Sequence, residues 1–109
     1  MTVQVLKETL GLKALCLPEP NREVATGYAG DLLSWVMGRA EEGNVWVTVM
    51  TNANVIAVAH LTDVSAVIVS DGSEISPELV TLASDKGVNL LASEKPTYEI
   101  CTALGALIS

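Results

Sequence analysis

The stretch VWVTVMTNANVIAVAH, residues 45–60, decides the reading of this chain. Its first five residues are apolar and mostly β-branched, the pattern of a strand buried on both faces. Residues 55–59 are just as apolar, but Thr51, Asn52, Ala53 and Asn54 separate them from the strand. Asn and Thr are natural helix openers, so the stretch predicts a strand, a polar turn over 51–54, and a helix buried on most of its circumference. That unit is expected at the centre of the domain.

Working outward toward the carboxyl end, Leu61-Thr62-Asp63 closes the helix, and 64–69 reads as a second buried strand broken by Ser70-Asp71-Gly72-Ser73. Ser76-Pro77-Glu78 then opens a helix: Ser caps, Pro takes the first helical position, and an acid sits in the first turn. That helix is expected to run to about residue 86 and stop at Gly87. Residues 88–92 form a last strand, and a final helix follows, with Thr97 or Ser93 as its cap and Ile100, Leu104 and Leu107 on one face. Strands separated by helices of this length pair in parallel through right-handed crossovers.

Toward the amino end, Glu41-Glu42-Gly43-Asn44 reads as a solvated turn, preceded by a helix over 32–40 with Asp31 as its cap. Gly27 and Gly30 bracket the approach to that cap, and 24–28 reads as a short extended piece. Pro18 and Pro20 end a strand over 12–17, and a helix over 3–10 lies between Thr2 as cap and Gly11 as stop. The expected fold is α/β: a Rossmann-like three-layer sandwich with a small, mostly parallel sheet flanked by helices. Residues 1–109 are expected to form one domain.

Composition narrows the function. A chain of 109 residues buries roughly two-thirds of its unfolded surface, enough to fold without metal or disulfide. Half the residues are hydrophobic, none is Phe, and the aromatics are Tyr28, Trp35, Trp46 and Tyr98. Thirteen acids against six bases give a net charge of −7. That balance argues against nucleic acid and against anionic membrane surfaces, because too few bases are present to replace phosphate counterions. The apolar runs 32–37 and 55–61 are too short to span a bilayer, and the amino end lacks the basic start and apolar run of a signal peptide. Cys16 and Cys101 are expected as buried thiols of a cytoplasmic protein, and without a CxxC or Cys/His cluster no metal or cofactor is expected.

Ligands of open parallel sheets settle beyond the carboxyl ends of the strands, where helix N-termini offer free N–H groups. The loops 50–54, 70–75 and 93–97 fall on that edge, and the turn 27–31 is a candidate to join them. The candidate ligand-binding residues are therefore Thr51, Asn52, Asn54, Ser70, Asp71, Gly72, Ser93 and Thr97, with a nucleotide or another anion as the ligand. The plainer alternative is that these residues only cap helices and make turns. No GxxxxGK[ST] or GxGxxG is present, and the 51–54 turn has no glycine to bring backbone against a pyrophosphate. Asp71 and Lys95 stand at strand ends as in phospho-acceptor receiver domains, but the acid pair such domains use for magnesium is missing after the first strand. His60, the lone histidine, has no Ser or Cys partner in view and reads as structural or surface. Trp35 and Trp46 read as core or subunit-contact residues.

The stretches GYAGDLLSWV (27–36), VWVTVMTNANVIAVAHLTDVSAVIVSDG (45–72) and SPELVTLASDKGVNLLASEKPTYEICTALGAL (76–107) together resemble the DRTGG-domain family, small α/β modules of bacteria and archaea. The shared features are an acid opening a helix, a strand running into a polar turn, and Gly-Val leading into a strand, a Thr-Tyr loop and a helix. The family's naming string is absent, and Thr51-Asn52-Ala53-Asn54 stands where many members carry an Asp-Arg or Asn-containing turn. The resemblance implies an accessory module. Similar units sit beside nucleotide-sensing CBS pairs in regulated pyrophosphatases, within some phosphotransacetylases, or alone near regulatory kinases and iron–sulfur proteins. It carries over no catalytic residues, and it implies a dimer-forming piece.

The expectation is thus a non-enzymatic regulatory or interaction module, homodimeric through the apolar helices at 32–37 and 55–59, with a protein partner of its own. The alternative is a small-ligand sensor at the carboxyl edge of the sheet.

Overall fold

The computed structural model describes residues 1–108. Its elements follow the order α1 (Val3–Leu10), β1 (Lys13–Cys16), β2 (Gly27–Ala29), α2 (Leu33–Arg39), β3 (Val45–Thr48), α3 (Ala53–Thr62), β4 (Ala66–Val69), α4 (Pro77–Asp85), β5 (Leu90–Ala92) and α5 (Thr97–Ile108). The strands form one sheet in the order β1-β5-β4-β3-β2. β2 to β5 pair in parallel, and β1 joins β5 antiparallel with an irregularity between Ala14 and Cys16. The expected α/β sandwich is the one observed.

Helices cover both faces, which is why β3 and β4 read as unbroken apolar runs. Trp46, Val67, Val69 and Leu90 point to one face and meet Val36 of α2, Val55, Ile56, Val58 and Ala59 of α3, and Leu79 and Ala83 of α4. Val45, Val47, Ala66, Ile68 and Leu91 point to the other and meet Val3 and Leu6 of α1 and Ile100 and Leu104 of α5. Trp46 is fully buried, and its indole Nε1 donates to the Gly30 carbonyl at 2.9 Å, tying β3 to the end of β2. Burial of a large side chain of this kind contributes about 1.5–3 kcal/mol.

Helix ends obey the local chemistry. Thr2 accepts from Val5 N and caps α1, Asn52 accepts from Asn54 N and caps α3, and Ser76 accepts from Leu79 N with Pro77 at the first position of α4. Gly11, at φ +64°, ends α1 in the left-handed conformation that glycine adopts at no steric cost. Asp63 does the same work for α3 at φ 58°, and the Arg22 guanidinium pairs with its carboxylate at 2.8 Å. At the same end of the sheet Asn89, 2 % exposed, donates to the Glu19 and Ser65 carbonyls and accepts from Glu19 N.

Four expectations need correction. Asp31 does not cap α2: Leu32 is the N-cap residue and no side chain bonds there, because the Asp31 carboxylate is held by the end of β3. The extended piece expected at 24–28 lies at Gly27–Ala29, where it forms the edge strand β2. Thr97 is the first residue of α5, and its partner is a carboxylate from another loop; the Ser93 hydroxyl accepts from Lys95 N instead. Finally, α3 is apolar around most of its circumference because it lies between α2 and α4 over the sheet. Its buried face therefore belongs to this chain's own core rather than to a second copy.

Two thiols are free: Cys16 donates to the Val88 carbonyl at 3.3 Å, and Cys101 sits on the opposite face of the sheet. No described helix is long and apolar enough to cross a membrane.

Because β2 to β5 follow one another across the sheet, each crossover steps the same way and leaves its helix on the same face. The order ends at β5. From there the chain passes to the opposite face as α5 and runs back beneath β2 and β3, so close that a Cβ on Gly27 would lie 2.8 Å from Leu104 Cδ2. The connections leaving β4 and β5 therefore part toward opposite faces.

Candidate functional site

Buried polar side chains flank the central strands at both ends: Asn44, Ser65 and Asn89 at the amino ends, Thr48 and Ser70 at the carboxyl ends. β3 closes on Thr48 and β4 runs into Ser70, both almost wholly buried. A buried hydroxyl needs a partner, and each finds one on a neighbouring loop. Thr48 Oγ1 donates to Asp31 Oδ1 at 2.7 Å and accepts from Met50 N at 3.2 Å. The same Asp31 oxygen takes Val49 N–H at 2.9 Å. Asp31 thus closes the end of β3 from the turn after β2, and that turn does belong to the carboxyl edge.

Next along the edge, Asp71 adopts the left-handed conformation at φ 61°, which Asp tolerates better than most residues. Its Oδ2 accepts from Thr97 N at 3.2 Å and from Thr97 Oγ1 at 2.9 Å. Ser70 Oγ lies 2.6 Å from Thr97 Oγ1. With the Thr97 proton given to Asp71, the Ser70 hydroxyl is the donor in that contact. Asp71 N bonds the Lys95 carbonyl at 2.9 Å and Gly72 N bonds the Ser93 carbonyl at 3.0 Å. Two loops are thereby zipped together, and a carboxylate sits at the positive end of the α5 dipole.

The structure brings together Ser70, Asp71, Gly72, Ser93 and Thr97 at the ends of β4 and β5. Thr51, Asn52 and Asn54 lie apart from them after β3. Asn52 caps α3, and Asn54 is already inside its first turn with its side chain exposed, so the expected polar turn is shorter than 51–54. His60 lies exposed in the last turn of α3, at the other edge of the sheet. Among the described residues no group of three or more His, Cys, Asp or Glu stands close enough to hold a metal.

Chemically, the edge offers hydrogen-bond donors and acceptors. Asp71, the residue that a phospho-acceptor reading would need free, is engaged by two donors of Thr97. The residues that sequence reasoning passed over are Thr48, hidden by the β-branched run around it, and Lys13. The latter reaches this edge only because β1 runs antiparallel to β5, opposite Ala92. The topology supports the location: connections leaving adjacent strands toward opposite faces open a crevice at their carboxyl ends, the usual ligand position in open α/β sheets.

The comparisons with known proteins agree with this frame. The DRTGG domain family matches residues 28–107. No curated protein matches the chain in sequence. Among solved structures, the chain is similar to the CBS and DRTGG domains of the regulatory region of Clostridium perfringens pyrophosphatase, complexed with its activator diadenosine tetraphosphate. The TM-score is 0.72 at 17% identity, covering 94% of this chain and 45% of that one. This chain therefore spans less than half of that regulatory region, and the likeness is one of fold. With most of its length matched by the family pattern, the chain belongs to the DRTGG domain family.

Proposed function

We propose that this DRTGG domain is a non-catalytic regulatory and interaction module of the cytoplasm, which works as a homodimer and serves a metabolic or signalling protein. The observation that carries this is α2. Of that helix only Val36 is buried, while Trp35 is 53% and Met37 44% exposed, and Leu32 just before it is 56% exposed. Leu32 and Trp35, three positions apart, share one side of the helix, with Met37 across the buried Val36 from them; an exposed apolar pair of this size marks an interaction surface. Arg39 stacks on the Trp35 ring with its guanidinium carbon 3.7 Å from the centroid, which orders the indole in advance.

A second copy is the occupant that suits this surface. Two chains of net charge −7 repel each other least where neither brings an acid, and α2 contains none. In a two-fold contact Arg39 of each copy can also face Glu41 and Glu42 of the other. Sedimentation or light scattering at tens of micromolar is expected to give twice the 11.4 kDa chain mass, and a Leu32→Ser, Trp35→Ser pair the monomer mass. A monomeric unmodified protein at that concentration sinks the dimer.

The second reading is a small-ligand sensor, and a specific observation favours it: the crevice position at the ends of β4 and β5, with Ser70, Asp71, Gly72, Ser93 and Thr97 around it and Thr51, Asn52 and Asn54 further along the edge. The regulatory region of the solved relative is itself complexed with a nucleotide activator. Adenine nucleotides or phosphate should then raise the melting temperature as ligand exceeds its dissociation constant. An unchanged melting temperature with all of them leaves only the first reading.

A further inference from the structure

The antiparallel pairing of β1 with β5 sets Lys13 opposite Ala92, at the carboxyl end of the sheet. Between β1, the end of β5 and the loop after β4 lies a cavity of about 430 Å³. Lys13, Ser73, Ser93 and Glu94 form its polar wall, and Leu15 and Ile75 its apolar one. None of the described carboxylates lies within ion-pair distance of Lys13, and none of the described bases within that distance of Glu94. One cavity thus holds a cation and an anion that do not neutralise each other. The hydroxyls are complementary too. Ser73 Oγ donates to the Ser70 carbonyl at 3.2 Å and keeps its lone pairs. Ser93 Oγ accepts from Lys95 N at 3.1 Å and keeps its proton.

We propose that this cavity binds a nucleoside monophosphate. Lys13 and the Ser93 hydroxyl take the phosphate, Leu15 and Ile75 face the base, and Glu94 accepts from the ribose hydroxyls, as acids do in other α/β nucleotide sites. The assignment rests on the ligand-sensing reading and gives it a ligand class and an anchoring base. Size and charge select the class. Pockets of roughly 300–1,000 Å³ suit ligands larger than an amino acid or a lone phosphate, and a further phosphate would find Glu94 rather than a second base on this wall. Lys95 lines a neighbouring cavity of about 270 Å³ on the other side of Ser93. Two of the chain's six bases thereby flank Ser93 and offset the net negative charge against which a phosphate must approach.

The test is a 15N–1H NMR titration of the full chain with adenosine 5′-monophosphate through the millimolar range, beside adenosine alone and inorganic phosphate alone. Saturable shifts are expected at Lys13, Ser73, Ser93 and Glu94. Lys13→Ala should weaken binding about tenfold, the usual consequence of losing a charged hydrogen bond. Lys13→Arg should restore most of it, and Lys86→Ala should change nothing; the dispersion of each spectrum reports that the variant is folded. Shifts confined to residues 51–54 or to Thr97 overturn this site and leave the sensor reading standing. No saturable shift with any of the three compounds overturns the nucleoside monophosphate site, and the melting-temperature screen with the larger adenine nucleotides then decides the sensor reading. Undiminished binding by Lys13→Ala, or equal affinity for adenosine or phosphate alone, overturns the assignment of a nucleoside monophosphate to this wall.

Discussion

One oxygen of the Asp71 carboxylate accepts both the backbone N–H and the hydroxyl of Thr97, across 26 residues of sequence. A helix start is usually capped by the residue just before it. Here α5 is capped from the loop after the adjacent strand β4, so the bond that satisfies the helix also fixes the distance between the ends of β4 and β5. Asp71→Asn keeps a residue that tolerates the left-handed backbone and removes only the charge, while Asp71→Ala removes the acceptor and strains the turn. Urea unfolding should show a loss of about 0.5–1 kcal/mol for Asn and about 1–2 kcal/mol for Ala. Thr97→Val, which keeps the N–H, should fall between no effect and the Ala value. Equal stability of all three variants and the parent would mean that Asp71 caps nothing in solution.

Gly27 and Leu104 set how closely α5 lies against β2. An alanine at position 27 brings its Cβ to 2.8 Å from Leu104 Cδ2, the tip of a flexible side chain that borders a cavity of about 250 Å³ and can turn into it. A contact that one side-chain rotation relieves costs less than rigid overpacking, about 1 kcal/mol or below. Pairing Gly27→Ala with Leu104→Ala should recover part of that cost, so the double variant will be more stable than the sum of the two single losses. Strict additivity would show that the two residues do not touch.

Asn89 satisfies three backbone groups at once, two of Glu19 and one of Ser65. Asn89→Leu fills the space but leaves those groups without partners, at about 1–3 kcal/mol or more. A drop in the denaturation midpoint is expected. Amide exchange should also speed up at Glu19, which loses its acceptor. Unchanged exchange there would contradict the bonding described.

Burial raises the pKa of both thiols above their ordinary 9.0; for Cys16 a backbone hydrogen bond at Leu90 opposes the larger effect of desolvation. At neutral pH both should react with a thiol reagent more slowly than free cysteine does, with rates still climbing above pH 9. The sign for stability follows. Above the unfolded value of about 9, the unfolded chain has lost these protons and the folded one still holds them, so folding weakens as pH rises through that window. A thiol-dependent stability that increased between pH 8 and about 10 would be incompatible with that burial.

How far the chain could be read in advance depends on where each residue finds its partners. β3, β4, α3 and α4 are marked by apolar runs between Asn52, Asp63, Ser76 and Gly87, all signals that lie within a few residues of their effect. The three loops of the carboxyl edge followed from that order alone. β2 was harder, because an edge strand of three residues with Gly27 in it carries almost no local pattern. Asp31 has the sequence position of a cap and yet bonds Thr48, 17 residues away. The apolar excess of α3 is legible as a burial signal but not as to whose surface covers it. Only the placement of α2 and α4 on either side assigns it to the chain's own core. The antiparallel course of β1, and with it the arrival of Lys13 at the carboxyl edge of the parallel strands, is a long-range choice that no local spacing encodes.

That course of β1 also bears on the order in which the molecule is made. The strand at Lys13–Cys16 pairs with Leu90–Ala92 and, among the described residues, with no other strand. On a ribosome it emerges ahead of β2, β3 and β4 and must wait, unpaired, until β5 follows them. The parallel unit from β2 to β5 has its partners close behind one another and can assemble as synthesis proceeds. The wall that carries Lys13 is therefore the last part of the sheet to close, and until it does the molecule has a core but no finished cavity beside it.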